Sequence, residues 1–376
     1  MSETTQPREV RAAVTPSQGA PFEIRTLHLR APEADEVRVR VVATGLCHTD
    51  LIVRDQLYPV PLPAVLGHEG AGVVEAVGPN VRHLRPGDHV VLSYGHCGAC
   101  ANCDDGAPSY CVDFFGRNFG GSGPDGGHAL TDDGGKPVND HFFSQSSFAT
   151  YALCRENNAV RVTEQAPLAL LGPLGCGIQT GAGAVMNTLA VTPGSRVAIF
   201  GAGAVGQSAI MAARIVGAAT IIAVDIIDSR LDLARELGAT HVINASREDP
   251  VEAIREISDG GVDYGVESTG NTNVFRQGID SLGKRGVIGA VGAPPLGDET
   301  SFDVNDLLIG GKQIRGIVEG DSVAHTFIPQ LIDLHLQGRF PFDKLVRYYD
   351  FEDINQAAAD SEKGETLKPI LMLGAP

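Results

Sequence analysis

A chain of 376 residues, 43% apolar and 20% charged, is long enough for two domains with ordinary globular cores. Its formal net charge of −17, with no long Lys/Arg run, disfavours nucleic acid as a partner. The polar N-terminal stretch MSETTQPREVR has no apolar core of a secretory signal, and the longest charge-free run, VAIFGAGAVGQSAIMAA, is broken by glycines, so neither export nor a membrane span is expected.

Residues 35–95 are rich in Val, Gly and Pro. EVRVRVVAT alternates like a half-buried strand, and GHEGAGVVEAVG and GDHVVLS read as further short strands with glycine turns. Next comes HCGACANCDDGAPSYC, which places four of the seven cysteines at positions 97, 100, 103 and 111. A cytoplasmic, reducing compartment makes such a cluster a metal site sooner than a disulfide framework. Cys97, Cys100, Cys103 and Cys111 have the short spacing that closes tetrahedrally around one zinc, with no position left for substrate; that is a structural site. Residues 112–147 form a long polar, glycine-rich stretch, too long for a plain connection, and predict either a functional lobe or a partly mobile one.

Beyond residue 178 the pattern changes. RVAIF, TIIAVD, HVINA, VDYGVEST and GVIGAVG are buried-strand candidates, separated by helical patterns such as AVGQSAIMAARIVG and SRLDLARELG; KQIRGIVEG adds a sixth strand. Strands alternating with helices predict a parallel sheet built by right-handed crossovers. The tail returns to mixed helix and strand. The expected boundaries are 1–177, 178–319 and 320–376.

GAGAVG, residues 201–206, follows the strand RVAIF and opens a helix. This is the G-x-G-x-x-G dinucleotide fingerprint in its required setting: Gly201 for the tight turn, Gly203 for approach of the pyrophosphate, Gly206 for close helix–strand packing. Asp225 ends the next strand, where a carboxylate bonds a ribose 2′-hydroxyl and repels a 2′-phosphate, so NAD is expected over NADP. Arg230 lies five residues on and is read either as an adenosine neighbour or as a solvated helix charge.

Three cysteines remain. Cys47 in GLCHTD and Cys176 in GCGIQTG bracket His68 in GHEGAG. Two thiolates and one imidazole leave one open position, the composition of a catalytic zinc site.

GLCHTD, GHEGAGVVEAVG, GDHV, CGAC-x2-C-x7-C, GCGIQTG and GAGAVG occur in this order along nearly the whole chain, which thereby resembles the zinc-dependent medium-chain alcohol dehydrogenases, most nearly their aryl- and benzyl-alcohol members. The resemblance implies a GroES-like β-rich catalytic domain joined to a Rossmann domain, with the C-terminal segment rejoining the first and the active site in the cleft. It implies two zinc ions per chain: one catalytic on Cys47, His68 and Cys176, one structural on the four clustered cysteines. Cys154 matches no ligand. Thr49 matches the hydroxyl that bonds the substrate alcohol, Asp50 the carboxylate that orients the ligand histidine, and Glu69 an acid that approaches the metal. His48 and Lys368 match contacts to the cofactor phosphates.

The implied reaction is reversible oxidation of a primary alcohol to its aldehyde, with hydride passing to NAD. One position departs from many relatives: the residue that ends the proton relay as histidine is here Ile52, so His48 or solvent must take the proton. The aryl-alcohol members share this departure, which points to an aromatic or allylic alcohol. Tyr58, Tyr94, Phe143 and Phe148 are candidate pocket or core aromatics. The competing readings are a thiol-adduct formaldehyde dehydrogenase, for which Arg54, Arg117 and Arg155 offer cations, a non-catalytic module built on the four-cysteine zinc site, and a relative without catalytic zinc. A homo-oligomer, dimer or tetramer, is expected.

Overall fold

The computed structural model describes residues 6–374, which divide into two compact units. One runs up to Cys176 and regains the chain over Val323–Asp333 and from Asp343 onward; the other comprises Gly177–Ser322 and Leu334–Phe342. The stretch Leu334–Phe342, expected with the first unit, groups with the second. Its Phe340 and Phe342 are fully buried, apolar area that an exposed connection would not carry.

The first unit holds two sheets. In the larger, the strand Glu36–Gly45 pairs antiparallel with Glu69–Val77 and with Lys368–Met372. The register sets Gly45 opposite both Glu69 and Ile370. Cys47 lies two residues beyond one strand end and His68 one residue before the other, so the pairing brings them to the same end of the sheet. Gly45 is required here, because a Cβ would stand 2.0 Å from Glu69 Oε2.

The alternation in EVRVRVVAT misleads in one respect. The strand is buried on both faces, Arg38 included. That guanidinium is tolerated because Nε donates to Glu75 Oε2 at 2.6 Å and Nη1 to Gln6 O at 2.7 Å. A buried charge must be paired.

Residues 112–147 are a folded lobe. It contains the helix Phe114–Phe119 and the paired strands Leu130–Thr131 and Pro137–Val138. Phe119, Leu130, Val138, Phe142 and Phe143 join the main core of the unit, so the lobe is held by apolar burial despite its polar sequence.

The second unit carries a six-stranded parallel sheet in the order 3-2-1-4-5-6 counted along the chain. This is the doubly wound arrangement whose order reverses beside the first strand. That first strand, Arg196–Phe200, is the RVAIF run, and GAGAVG leaves its carboxyl end. All six predicted strands are present. Among the described residues no single helix is long and apolar enough to cross a membrane.

Candidate metal and cofactor sites

The first site is built around Asp50, which is fully buried in the short helix His48–Arg54. Its carboxylate accepts from the amides of Cys47 (2.9 Å) and Gly67 (3.0 Å), and its Oδ1 stands 2.9 Å from His68 Nδ1. One carboxylate therefore ties both ligand segments together and fixes the imidazole tautomer, leaving Nε2 to face the ligands. His68 Nε2 is buried and has no hydrogen-bond partner among the described residues. A ligand atom from each of Cys47, His68, Glu69 and Cys176 falls within 4.8 Å of the others.

The electrostatics agree with the geometry. The Cys176 side chain bonds Cys47 and, together with the positive charges of Lys368 and His68, holds its thiol well below the usual range against the cost of burial. Burial alone would push His68 down, but Asp50 and Cys47 hold it well above the ordinary imidazole value. A depressed thiol beside a raised imidazole is a thiolate paired with a protonated imidazole, and a cation bound by both would take the place of that proton. An orphaned buried nitrogen and two soft sulfurs make a divalent, thiolate-tolerant cation the fitting occupant.

Thr49 Oγ1 lies 3.8 Å from Cys47 Sγ at the edge of this cluster. Phe143 stacks on the His68 ring at 4.5 Å, and Phe142 meets it edge-on at 5.4 Å. Phe119 touches both phenylalanines and also packs against Tyr58 and the exposed Phe115. An aromatic series therefore extends from His68 to the surface. Phe148 is core, packed on Phe22, and Tyr94 is buried beside Phe114. His48 is exposed and Ile52 is buried, which keeps an apolar group at the relay position.

Lys368, implied by resemblance as a cofactor-phosphate contact, is paired within the protein. Its ammonium is buried and donates to both oxygens of Glu69, at 2.7 and 2.9 Å. Burial would lower the lysine, yet Glu69 and then the Cys47 sulfur hold it above its ordinary value. Glu69 in turn is pushed up by burial, with Lys368 opposing. A cation buried so completely must have a carboxylate beside it. Nothing in the sequence signals a pair separated by 299 residues.

In the four-cysteine cluster the ligand atoms again fall within 4.8 Å of one another. Cys97 Sγ and Cys103 Sγ are 3.8 Å apart, and none of the seven cysteines is in a disulfide. Backbone amides point at the sulfurs: Cys97 N donates to Cys111 Sγ at 3.3 Å and Ala99 N to Cys97 Sγ at 3.4 Å. Amides of Val112 and Cys103 draw the Cys100 thiol down to about 6. Converging sulfurs with amide donors around them fit a closed tetrahedral metal site. Cys154 is a buried core thiol donating to Val37 O at 3.6 Å, kept protonated by burial.

In the second unit, Gly201 adopts φ +89°, and a Cβ on Gly206 would lie 1.8 Å from Gly201 O. The turn and the close packing thus require glycine at these two positions. A Cβ on Gly203 would meet nothing within 4 Å. The protein itself makes no demand for glycine there, which fits a ligand backbone approaching the start of the helix Ala204–Val216. Asp225 accepts from the amides of Ala202 (2.7 Å), Ile226 (2.7 Å) and Ile227 (3.0 Å). It therefore anchors the glycine turn as well as ending its strand. Arg230 Nη1 stands 3.8 Å from Asp225 Oδ2, partly buried and beside the carboxylate, unlike a solvated helix charge.

A doubly wound nucleotide-binding unit, and a β-rich unit with a triad of two cysteines and a histidine plus a four-cysteine cluster, together define a metal-dependent dehydrogenase. Two family models match the chain: the alcohol dehydrogenase GroES-like domain over residues 33–164 and the zinc-binding dehydrogenase over residues 204–336. The chain belongs to the zinc-binding alcohol dehydrogenases. It is 46% identical over 373 residues to geraniol dehydrogenase of Castellaniella defragrans, covering 99% of this chain and 100% of that one. Benzyl alcohol dehydrogenase of Acinetobacter calcoaceticus is 62% identical with a TM-score of 0.95, over 97% of this chain and 99% of that one. A zinc-binding-domain alcohol dehydrogenase from Burkholderia ambifaria is 69% identical with a TM-score of 0.97, over 98% and 100%.

Proposed function

We propose that the protein oxidises a primary aromatic or allylic alcohol to its aldehyde, reversibly, with NAD⁺ as acceptor and two zinc ions per chain. The observation that carries this reading is the convergence of Cys47, His68 and Cys176 behind an aromatic series that begins at Phe143. The similarity to a geraniol and a benzyl alcohol dehydrogenase supports the same substrate class. Zinc on the triad supplies a Lewis acid toward the hydroxyl, and the nicotinamide supplies the hydride acceptor.

The chain's own residues do the rest. Asp50 holds His68 in one tautomer with Nε2 presented. Thr49 Oγ takes the substrate's hydroxyl proton while its own hydrogen passes to the exposed His48 or to water, since Ile52 offers no base. Phe142 and Phe143 wall the imidazole with apolar surface, which strengthens every electrostatic interaction at the site. Gly203 leaves the approach to the helix start clear for a pyrophosphate, and Asp225 beside the turn favours a ribose hydroxyl over a phosphate. The thiol-adduct alternative finds little support at two of its three arginines: Arg54 pairs with Asp55 and Glu362, and Arg117 with Asp113.

The test is the initial rate with benzyl alcohol and with ethanol, each with NAD⁺ and with NADP⁺. Benzyl alcohol is expected to exceed ethanol, and NAD⁺ to exceed NADP⁺, each by at least about tenfold in kcat/KM, a difference of about 1.4 kcal/mol. Equal rates on the two alcohols would remove the aromatic reading, and equal rates with the two acceptors would remove the role of Asp225.

The free thiols support a reducing, cytoplasmic setting for the enzyme. It is further read as a homo-oligomer. The sixth strand of the parallel sheet, Gln313–Gly316, is an exposed edge, and the preceding helix Val304–Gly310 leaves Val304, Leu308 and Ile309 at 67%, 74% and 77% exposure. An open edge beside apolar side chains is the surface that a second copy covers. Sedimentation equilibrium at micromolar concentration should return at least twice the chain mass of 39.4 kDa; a monomer there would refute the reading.

A further inference from the structure

The segment 141–148 has a density of unusual backbone that its sequence, HFFSQSSF, does not announce. His141, Phe143, Ser144 and Ser146 all sit at positive φ, between 50° and 57°. Four non-glycine residues in the left-handed region within six positions cost of order 1–3 kcal/mol each and persist only where surrounding contacts over-determine them. Those contacts run, residue by residue, to the segment that carries His68. Ser146 Oγ donates to Val65 O at 2.6 Å, Phe148 N to Leu66 O at 3.0 Å and Ser147 N to Gly67 O at 2.9 Å. The close approach depends on two glycines: a Cβ on Gly67 would lie 2.4 Å from Phe148 N, and one on Gly70 would lie 2.7 Å from Ser147 Cβ.

Gln145 is the centre of this arrangement and is buried. Its Nε2 donates to the carbonyl of His68 itself at 3.0 Å and to Ser93 O at 3.2 Å, while its Oε1 accepts from Gly70 N at 3.1 Å. Ser93 Oγ donates in turn to Gly175 O at 2.8 Å, the residue before Cys176. One amide therefore links the backbone of the histidine ligand to that of the second cysteine ligand. The other side of the segment leads toward the four-cysteine lobe. Ser144 Oγ donates to Arg117 O at 3.0 Å, and Asn118, one residue on, exchanges two hydrogen bonds with the backbone of Gly95, two residues before Cys97.

We infer that Gln145 is the positioning residue of the Cys47–His68–Cys176 metal site, holding His68 and Cys176 at their mutual distance, and that the strained 141–148 segment is the brace through which the four-cysteine lobe supports that distance. The inference rests on reading those three residues as a metal triad. Gln145 does not touch the reacting atoms. Its effect passes through the ligand backbone, so it tunes how tightly and in what geometry the metal is held. Loss of an outer partner of this kind typically lowers metal affinity or activity about 10–100-fold.

The experiment compares wild type with Gln145→Met, which keeps the volume and removes all three bonds, and Ser146→Ala, which removes the bond to Val65 O and the one that Oγ accepts from Phe142 N. The readouts are metal content against a graded chelator, the visible absorption of the cobalt-substituted triad, and kcat and KM separately. Gln145→Met should release the triad metal at least tenfold more readily, shift the cobalt bands and lower kcat with little change in KM, while the four-cysteine metal stays bound. Ser146→Ala should move the same readouts in the same direction by less. Unchanged chelator resistance and cobalt bands in a folded Gln145→Met would overturn the inference. Should Gln145→Met fail to fold, unchanged values in Ser146→Ala would do so. Wild-type protein that binds only one metal per chain would remove the triad reading and this inference with it.

Discussion

Cys176→Ser is expected to abolish turnover and to reduce the metal content from two ions per chain to one. Cys176 is 8% exposed and sits between the short turn Gly172–Gly175 and the helix Gly177–Gly183, so a serine of nearly the same size fits the space. What changes is the donor. A thiolate is a soft ligand, whereas a serine hydroxyl keeps its proton at neutral pH and binds a borderline-soft cation poorly. Lewis-acid assistance is worth several kcal/mol at the transition state, so its loss lowers kcat by about a thousandfold or more. The four-cysteine cluster is made from other residues and should keep its ion. Plasma emission analysis and steady-state rates on the same preparation decide the matter. A Cys176→Ser protein with full activity would remove the catalytic-metal assignment.

Lys368→Met is expected to be the most damaging substitution to stability. It removes the ammonium that donates to both oxygens of the wholly buried Glu69. Removing one partner of a buried pair costs about 3–5 kcal/mol, because the remaining charge is uncompensated. The pH dependence has a definite sign. Burial already raises Glu69 above its unfolded value, and Lys368 is the largest influence opposing that rise. Without the lysine the folded-state value climbs further, so the folded protein binds the proton more tightly than the unfolded chain. Stability of the variant is then lost as pH rises from the unfolded carboxylate value through the raised one. The deficit relative to wild type should be smaller at pH 5.5 than at pH 8, measured as the urea midpoint of the metal-loaded proteins. Equal deficits at both pH values would show that the loss is one of packing alone, and no deficit would show that the pair is dispensable.

The legibility of this molecule in its sequence follows the range of the interactions involved. Both sulfur-rich sites and the glycine turn were readable because their chemistry is local or type-restricted: Cys97, Cys100, Cys103 and Cys111 lie within fifteen residues, and GAGAVG works through three glycines within six positions. The parallel sheet was readable because its strands are short apolar runs set between helical patterns, a periodicity that needs no knowledge of partners. Asp50 was readable by resemblance, being three residues from Cys47.

Tertiary structure decided the rest, for one physical reason. Burial is a property of the assembled fold, and it changes what a polar residue must do. Arg38, a charged position in the alternating run EVRVRVVAT, is sealed between sheet neighbours and survives on Glu75. Lys368, read as a phosphate contact, is drawn inside and paired to Glu69. Gln145 carries no signature in HFFSQSSF, yet the backbone that places it at His68, Ser93 and Gly70 leaves its amide satisfied on every side. Sequence by itself determined which atoms are available to hold a metal and a dinucleotide. Only the fold decided which buried groups hold those atoms in place, since their partners lie as far as 299 residues away along the chain.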